Sequence, residues 1–208
     1  MITDKTLERL IIYRVYLERL SKESVTNIFS HQMAEYTGYT AAQVRRDLMA
    51  VGYSGSPQKG YEVEDLIKGI KNVLEPAEGI PMVIIGLGNL GRAILKYFSV
   101  LGDTFKLVAV FDNDPYKVNR MISGCKCLHI DDLAEVVKKN NIQLAVITVP
   151  GSAAEDIAEQ VIKAGIKGLI NFAPVRIKSR SSINVENIDM RMMFEKVAYF
   201  SRALSAGE

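Results

Sequence analysis

Tryptophan is absent from the 208 residues, and cysteine, histidine and proline are scarce, at 2, 2 and 6. Two cysteines cannot furnish a four-thiolate zinc or iron-sulfur site, and Cys125 and Cys127 stand too close for an unstrained disulfide, so both are expected to be structural. The two histidines, His31 and His129, lie far apart in the chain, so no metal site and no catalytic histidine is expected. No apolar run approaches the roughly 18 residues of a bilayer span. The opening "MITDKTLERL" also lacks the basic-then-apolar order of a signal peptide, which makes a cytoplasmic location the default expectation. Excess charge is missing too: at a formal +2 the chain cannot bind a polyanion by bulk attraction, and any nucleic-acid affinity must come from a local patch. Internal repeats and low-complexity tracts are not seen.

What is present is the mix of a globular protein, 48% hydrophobic and 24% charged, in a chain long enough for two small domains. A first helix is expected from Asp4 to Leu20, with an apolar stripe at Leu7, Leu10, Ile11, Val15 and Leu17. "SHQMAEYT" fits a second, capped by Ser30 and broken by Gly38-Tyr39. Thr40 then caps a third, "AAQVRRDLMA", with Val44 and Leu48 on the inner face and Gln43, Arg45 and Arg46 elsewhere. Helix, glycine turn, helix with adjacent arginines is the outline of a helix-turn-helix. "VGYSGSPQKGYEVEDL" follows, two short stretches around a turn that could pair as a wing. The arginines differ by about 100° around the helix, so one is expected to read a base edge and the other to hold phosphate. Gln43 can pair with adenine, and Thr40 and Lys59 complete the expected DNA contacts. One more helix, "VEDLIKGIKNVLEP", leads to a boundary in 75–81.

Beyond it, apolar strands alternate with helices: "PMVIIG", a helix over 89–101, "FKLVAVFD", "CLHI", a helix over 131–139, "LAVITVP", a helix over 152–164 and "GLINFA". This is the signature of a parallel sheet covered on both faces. The first strand runs into Gly86-x-Gly88-x-x-Gly91, and the second ends at Asp112, 21 positions after Gly91. Strand, glycine turn, helix and a later acid together make a dinucleotide fingerprint, with the pyrophosphate at the helix N-terminus and the acid on the ribose. A carboxylate there favours NAD(H) over a 2'-phosphorylated cofactor. The loop Thr148-Val149-Pro150 falls at the carboxyl edge of the sheet, where cofactor contact is expected, with Ser152 able to cap the next helix. After the last strand, around Asn171 to Pro174, about 35 residues remain, too few for a substrate domain. They include "RMMFEKVAYFSRALSAGE", an amphipathic helix with Met192, Met193, Val197 and Leu204 on its apolar side.

A winged helix followed by an NAD-type Rossmann unit and a C-terminal helix resembles the Rex family of redox-sensing transcriptional repressors. The resemblance spans nearly the whole chain and is most specific in "TAAQVRRDL", "GLGNLGRAI", "FDNDP", "AGIKGLINFAPV" and "VENIDM". It implies an α/β chain with a winged helix over 1–78, a Rossmann NAD(H)-binding domain over 79–190 and a domain-swapped dimerisation helix over 191–208. It implies a homodimer that binds double-stranded operator DNA in the apo or NAD+ state and is released by NADH, without catalysis. It places Gly86, Gly88, Asn89, Leu90 and Gly91 at the pyrophosphate, Asp112 on the ribose and Tyr97 near the nicotinamide, with Asp189 and Met190 approaching from the partner subunit. Two positions depart from the family pattern. Ser56-Pro57 stands where a Lys/Thr-Arg pair is common in the wing, leaving Lys59 as the nearby cation, and Val15 stands where the family places a switch arginine, with Arg14 one position earlier. The alternative class is a small NAD-dependent oxidoreductase with a helical dimerisation domain.

Overall fold

The structure, a computed structural model, describes residues 2–74, 79–98 and 104–205, with side chains described to residue 202. Two compact units divide the chain, Met1–Ala77 and Glu78–Glu208. Most of the expected boundary segment, at 75–78, lies outside the described residues, as do the end of the helix expected over 89–101 and the side chain of Leu204.

The N-terminal unit is built from α1 (Asp4–Lys22), β1 (Asn27–Ile28), α2 (Ser30–Thr37), α3 (Ala41–Ala50), β2 (Tyr61–Glu62) and α4 (Val63–Leu74). Its core joins Leu10, Tyr13, Leu17 and Leu20 of α1 to Val44 and Leu48 of α3 and to Leu66 and Ile70 of α4. Each such side chain contributes about 1.5–3 kcal/mol when fully buried. The stripe expected on α1 is therefore rotated: Leu7, Ile11 and Val15 lie 41%, 40% and 55% exposed, while Tyr13 is fully buried. Tyrosine can take the inner position because its hydroxyl finds a buried acceptor, Asp47.

Ser30 does not cap α2. Phe29 is the cap residue, its N–H donating to Gln32 Oε1 at 2.8 Å, and Ser30 begins the helix with its hydroxyl available to another partner. Gly38, at φ 73°, closes the helix in the left-handed conformation, and Thr40 Oγ1 accepts the Gln43 N–H at 3.2 Å to open α3. The wing is narrower than expected. Ser56 and Gly60 exchange two 2.8 Å backbone hydrogen bonds around Pro57, Gln58 and Lys59. Tyr61–Glu62 pairs antiparallel with Asn27–Ile28, far upstream, and not with the stretch before the turn.

The second unit contains β3 (Ile80–Ile85), α5 (Asn89–Phe98), β4 (Phe105–Asp112), β5 (Met121–Ile122), β6 (Cys125–His129), α6 (Leu133–Asn140), β7 (Leu144–Ile147), α7 (Gly151–Ala164), β8 (Gly168–Asn171), β9 (Asn184–Asn187) and α8 (Met190–Ser205). The seven strands lie in the order β5-β6-β4-β3-β7-β8-β9, parallel throughout except for β5 against β6. Pleating splits the strands between two cores: Val83, Ile85, Ala109, Phe111, Ala145 and Ile147 pack with α6 and α7, while Met82, Ile84, Val110 and Val146 pack with Leu95 of α5. Two strands have no apolar run to announce them. β5 is a two-residue edge, and β9, "NVEN", alternates exposed with half-buried residues, so the sheet continues past the strand that looked like the last. Ser152 is not a cap either, since α7 starts at Gly151 after Pro150 with no side-chain capping bond. Cys125 and Cys127 are free thiols buried in the α5-side core, and burial pushes both upward from the ordinary thiol range. On α8, Met192, Met193 and Val197 are all more than half exposed within the single chain. No helix among the described residues is long and apolar enough to cross a membrane.

Candidate functional site

Sheet order reverses between β3 and β7, and in open α/β sheets a crevice forms outside the carboxyl ends of the strands at such a point. Here it is a cleft of about 620 Å³. Its floor is Gly86, Gly88, Asn89 and Leu90, one end is Asp112, Asn113, Asp114 and Lys117, and Thr148, Val149 and Pro150 line the opposite side. Ile130, Ile157, Phe172 and Pro174 add an apolar wall; the last two belong to the "AGIKGLINFAPV" stretch, while Ile130 and Ile157 lie in no motif.

The glycines divide their work. A Cβ at Gly91 would stand 2.0 Å from the Gly86 carbonyl oxygen and 2.7 Å from Thr148 Oγ1, so this residue lets α5 pack against the loop. A Cβ at Gly88 would meet nothing within 4 Å, which leaves that backbone open toward the cleft. The first-turn N–H groups of α5, next to Gly88, have no intrahelical acceptor. Thr148 fixes the facing loop, its hydroxyl lying 2.6 Å from the Gly86 carbonyl oxygen. An open glycine, donor groups at a helix start and a carboxylate beyond them suit a dinucleotide's pyrophosphate and ribose.

Asp112 is more engaged than a free ribose acceptor. Its Oδ2 accepts the Leu87 N–H at 2.7 Å and Lys117 Nζ at 3.0 Å, and Oδ1 accepts the Asp114 N–H at 2.9 Å. Burial alone would raise its carboxyl. The hydrogen bonds from Leu87, Asp114 and Lys117 outweigh that and hold it below the usual carboxylate range. Asp112 thus ties the glycine loop to the end of β4 as well as facing the cleft. Gly91, Tyr97, Asp189 and Met190 do not line this cleft. Tyr97 is 59% exposed on α5, and Asp189 accepts the Met192 N–H at 2.9 Å to start α8. Asp189 borders a separate cavity of about 100 Å³, which shares Pro174 with the cleft.

In the N-terminal unit α3 turns Ala42, Arg45, Arg46 and Met49 outward, an i, i+3, i+4, i+7 face. Arg45 Nη1 donates to Ser30 Oγ at 3.1 Å across the turn, whereas Arg46 has no side-chain partner among the described residues. Thr40 and Lys59 are exposed. Gln43 is half-buried, and its Nε2 donates to Asp47 Oδ1 at 3.0 Å. Asp47, 2% exposed, also accepts Arg9 Nε at 2.6 Å, Arg9 Nη2 at 2.8 Å and the Tyr13 hydroxyl at 3.0 Å. Burial would raise this carboxyl as well, but the hydrogen bonds from Arg9, Gln43 and Tyr13 together hold it low. The same carboxylate therefore orients α3 on α1. Val15 is exposed on α1 and Arg14 half-buried, so the two positions present different faces.

Two family models match the chain: "Putative DNA-binding protein N-terminus" over residues 1–48 and "CoA binding domain" over 78–175. Among relatives, the redox-sensing transcriptional repressor Rex of Desulforamulus reducens is 37% identical over 95% of this chain and 94% of its own length. That of Carboxydothermus hydrogenoformans is 36% identical over 95% of each. Solved structures agree over the whole length. RSP, a Rex-family repressor, in complex with β-NAD+ and operator DNA superimposes with a TM-score of 0.90 at 30% identity, covering 99% of this chain and 95% of RSP. RSP in complex with β-NADH gives 0.87 at 29%, covering 99% and 97%. With both halves matched end to end, this chain belongs to the Rex family of redox-sensing transcriptional repressors.

Proposed function

We propose that this protein is a homodimeric transcriptional repressor that reads the NADH/NAD+ ratio, holding operator DNA in the apo or NAD+ state and releasing it when NADH binds. The observation that carries this reading is the pairing, in a chain matched end to end by Rex repressors, of an arginine-faced helix-turn-helix with a nucleotide cleft. The cofactors are NADH and NAD+, the partner is double-stranded DNA, and the site of action is the cytoplasm. The relatives are repressors, so the dehydrogenase-like fold serves regulation, and the oxidoreductase alternative is not favoured.

In the cleft, Gly88, Asn89 and Leu90 hold the pyrophosphate, Asp112 the adenosine ribose, and Thr148, Val149 and Pro150 the far side, with Gly91 setting how closely α5 approaches. Bound there, the cofactor supplies a nicotinamide ring whose positive charge disappears on reduction. Tyr97, with Asp189 and Met190 of the second copy, is assigned to the response to that ring. The apolar face of α8 is assigned to the dimer. Linkage makes the two ligands reciprocal: if NADH weakens DNA binding by a given factor, DNA weakens NADH binding by the same factor, typically about 5- to 150-fold. DNA-binding titrations of the purified protein at fixed salt, with NADH and with NAD+, test this directly. Equal DNA affinity under the two nucleotides would overturn it.

On DNA, Arg46 is assigned to base edges, Arg45 to phosphate beside Ser30 at the start of α2, and Lys59 and Thr40 to the backbone. Ala42 and Met49 flank the arginines and suit thymine methyl groups. Replacing Arg46 by alanine is expected to cost about 1–3 kcal/mol of operator affinity and to relax discrimination at one base pair. Arg45→Ala is expected to weaken all sequences alike and to flatten the salt dependence. Competition between operator and scrambled duplexes, repeated at several salt concentrations, separates the two roles.

A further inference from the structure

The glycine fingerprint calls for an acid at the end of β4; it does not call for a cation beside it. Lys117 is nevertheless there. Among the residues lining the cleft it is the one with a cationic side chain, its Nζ 3.0 Å from Asp112 Oδ2 and 3.4 Å from Asp114 Oδ2. The loop is shaped to bring it back: the Asp114 N–H is fixed on Asp112 Oδ1, and the Lys117 N–H donates to the Asp114 carbonyl at 2.9 Å. The lysine side chain is 22% exposed and the residue lines the cleft, while both carboxylates engage its ammonium.

An ammonium has three donors and is the natural point-charge partner of a phosphate. Two carboxylates and one ammonium leave this corner with one net negative charge, against which a 2'-phosphate dianion would be repelled. Remove the charge of Asp112 and the corner becomes neutral, its cation facing at most a neutral amide oxygen where its nearer ionic partner stood.

Building on the assignment of the cleft to NAD(H), we propose that Lys117 is a masked 2'-phosphate receptor. Asp112 selects the unphosphorylated cofactor in two ways at once, by accepting the ribose hydroxyl and by occupying the cation that a phosphorylated dinucleotide would need. Lys117 is thereby a specificity-determining residue, and its effect depends on which carboxylates surround it.

The test is a pair of titrations, NADH and NADPH, on the full-length protein and four variants. Wild type is expected to bind NADH in preference. Asp112→Asn, which keeps an acceptor for the Leu87 N–H, is expected to raise NADPH affinity relative to NADH on the order of 10- to 100-fold, the value of one charge-assisted hydrogen bond. Adding Lys117→Met to Asp112→Asn is expected to abolish that gain. Because Asp112 also anchors the glycine loop, Asp114→Asn gives an independent arm that leaves the anchor in place: it shifts the ratio the same way by a smaller factor, and again only while Lys117 is present. A gain that survives Lys117→Met, or no shift from either carboxylate substitution, would overturn the proposal. Wild type that binds neither nucleotide would instead overturn the nucleotide assignment on which the proposal stands.

Discussion

Asp47→Ala is expected to destabilise the N-terminal unit by about 3–5 kcal/mol, the usual result of removing one partner from a buried ion pair. The substitution leaves the Arg9 side chain 13% exposed with no carboxylate, and strands the hydroxyl of a fully buried Tyr13. It also frees Gln43 and severs the tie that sets α3 on α1. Small domains have only about 5–15 kcal/mol of net stability, so this is a large share. DNA binding should be lost with the fold of the unit, while NADH binding in the second unit persists. The absence of tryptophan makes the measurement direct: Tyr13, Tyr16, Tyr36, Tyr39, Tyr53 and Tyr61, six of the nine tyrosines, lie in the N-terminal unit, so tyrosine fluorescence in a urea titration reports mainly on it. An unfolding midpoint equal to wild type would show that the network carries no weight.

The same carboxylate sets an acid limit. Asp47 and Asp112 both titrate below the ordinary range when folded, so each contributes stability that is complete above the unfolded value of about 3.9 and is lost as pH falls through the lower folded value. Stability should therefore be insensitive to these groups at neutral pH and decline below about pH 4. Asp47→Asn should flatten that acid limb for the N-terminal unit, as followed by tyrosine fluorescence across a pH series, and lower the stability plateau above it.

What was legible in the sequence is what depends on neighbours along the chain. Gly38 and Thr40 announce the helix-turn-helix because a left-handed residue and a cap are local requirements, and the glycine triplet with Asp112 announces the cleft because strand, turn and helix are contiguous. Asp47 was not legible as a buried hub, since its chief partner, Arg9, is 38 positions away and an acid next to two arginines looks like part of a solvated face. The hydrogen bond of Gln43 to Asp47 was not legible either: i to i+4 spacing permits it, but only the burial of Asp47 against α1 fixes the carboxylate that receives it. Leu7, Ile11 and Val15 were misplaced because α1 offers two apolar stripes, and only tertiary packing chooses between them. Lys117 is the intermediate case: the Asp112-Asn113-Asp114-Pro115 run announces a turn, but not that the turn brings a lysine ammonium back onto Asp112.

Gly88→Ala and Gly91→Ala, chemically the same change three positions apart, are both expected to weaken NADH binding, but only Gly91→Ala should do so through the fold. At Gly91 the new methyl would lie 2.0 Å from a backbone oxygen, so α5 or the loop must shift; a cost of about 1–3 kcal/mol or more is expected, with loss of nucleotide binding as a consequence of the distorted loop. At Gly88 the methyl meets no protein atom within 4 Å and the fold should tolerate it, with the thermal midpoint near that of wild type. There the methyl occupies the space through which the backbone approaches the pyrophosphate, and NADH affinity should fall on the order of tenfold or more, about 1.4 kcal/mol. For a repressor the result is specific: Gly88→Ala should bind operator as wild type does and need at least that much more NADH to be released, whereas Gly91→Ala should also lose thermal stability. Calorimetric titration with NADH, a melting curve and a DNA-release assay on both variants distinguish these outcomes. Wild-type NADH affinity in a folded Gly88→Ala protein would mean that the pyrophosphate is not bound at the glycine turn, and the assignment of the cleft would have to be redrawn from the Thr148–Pro150 side.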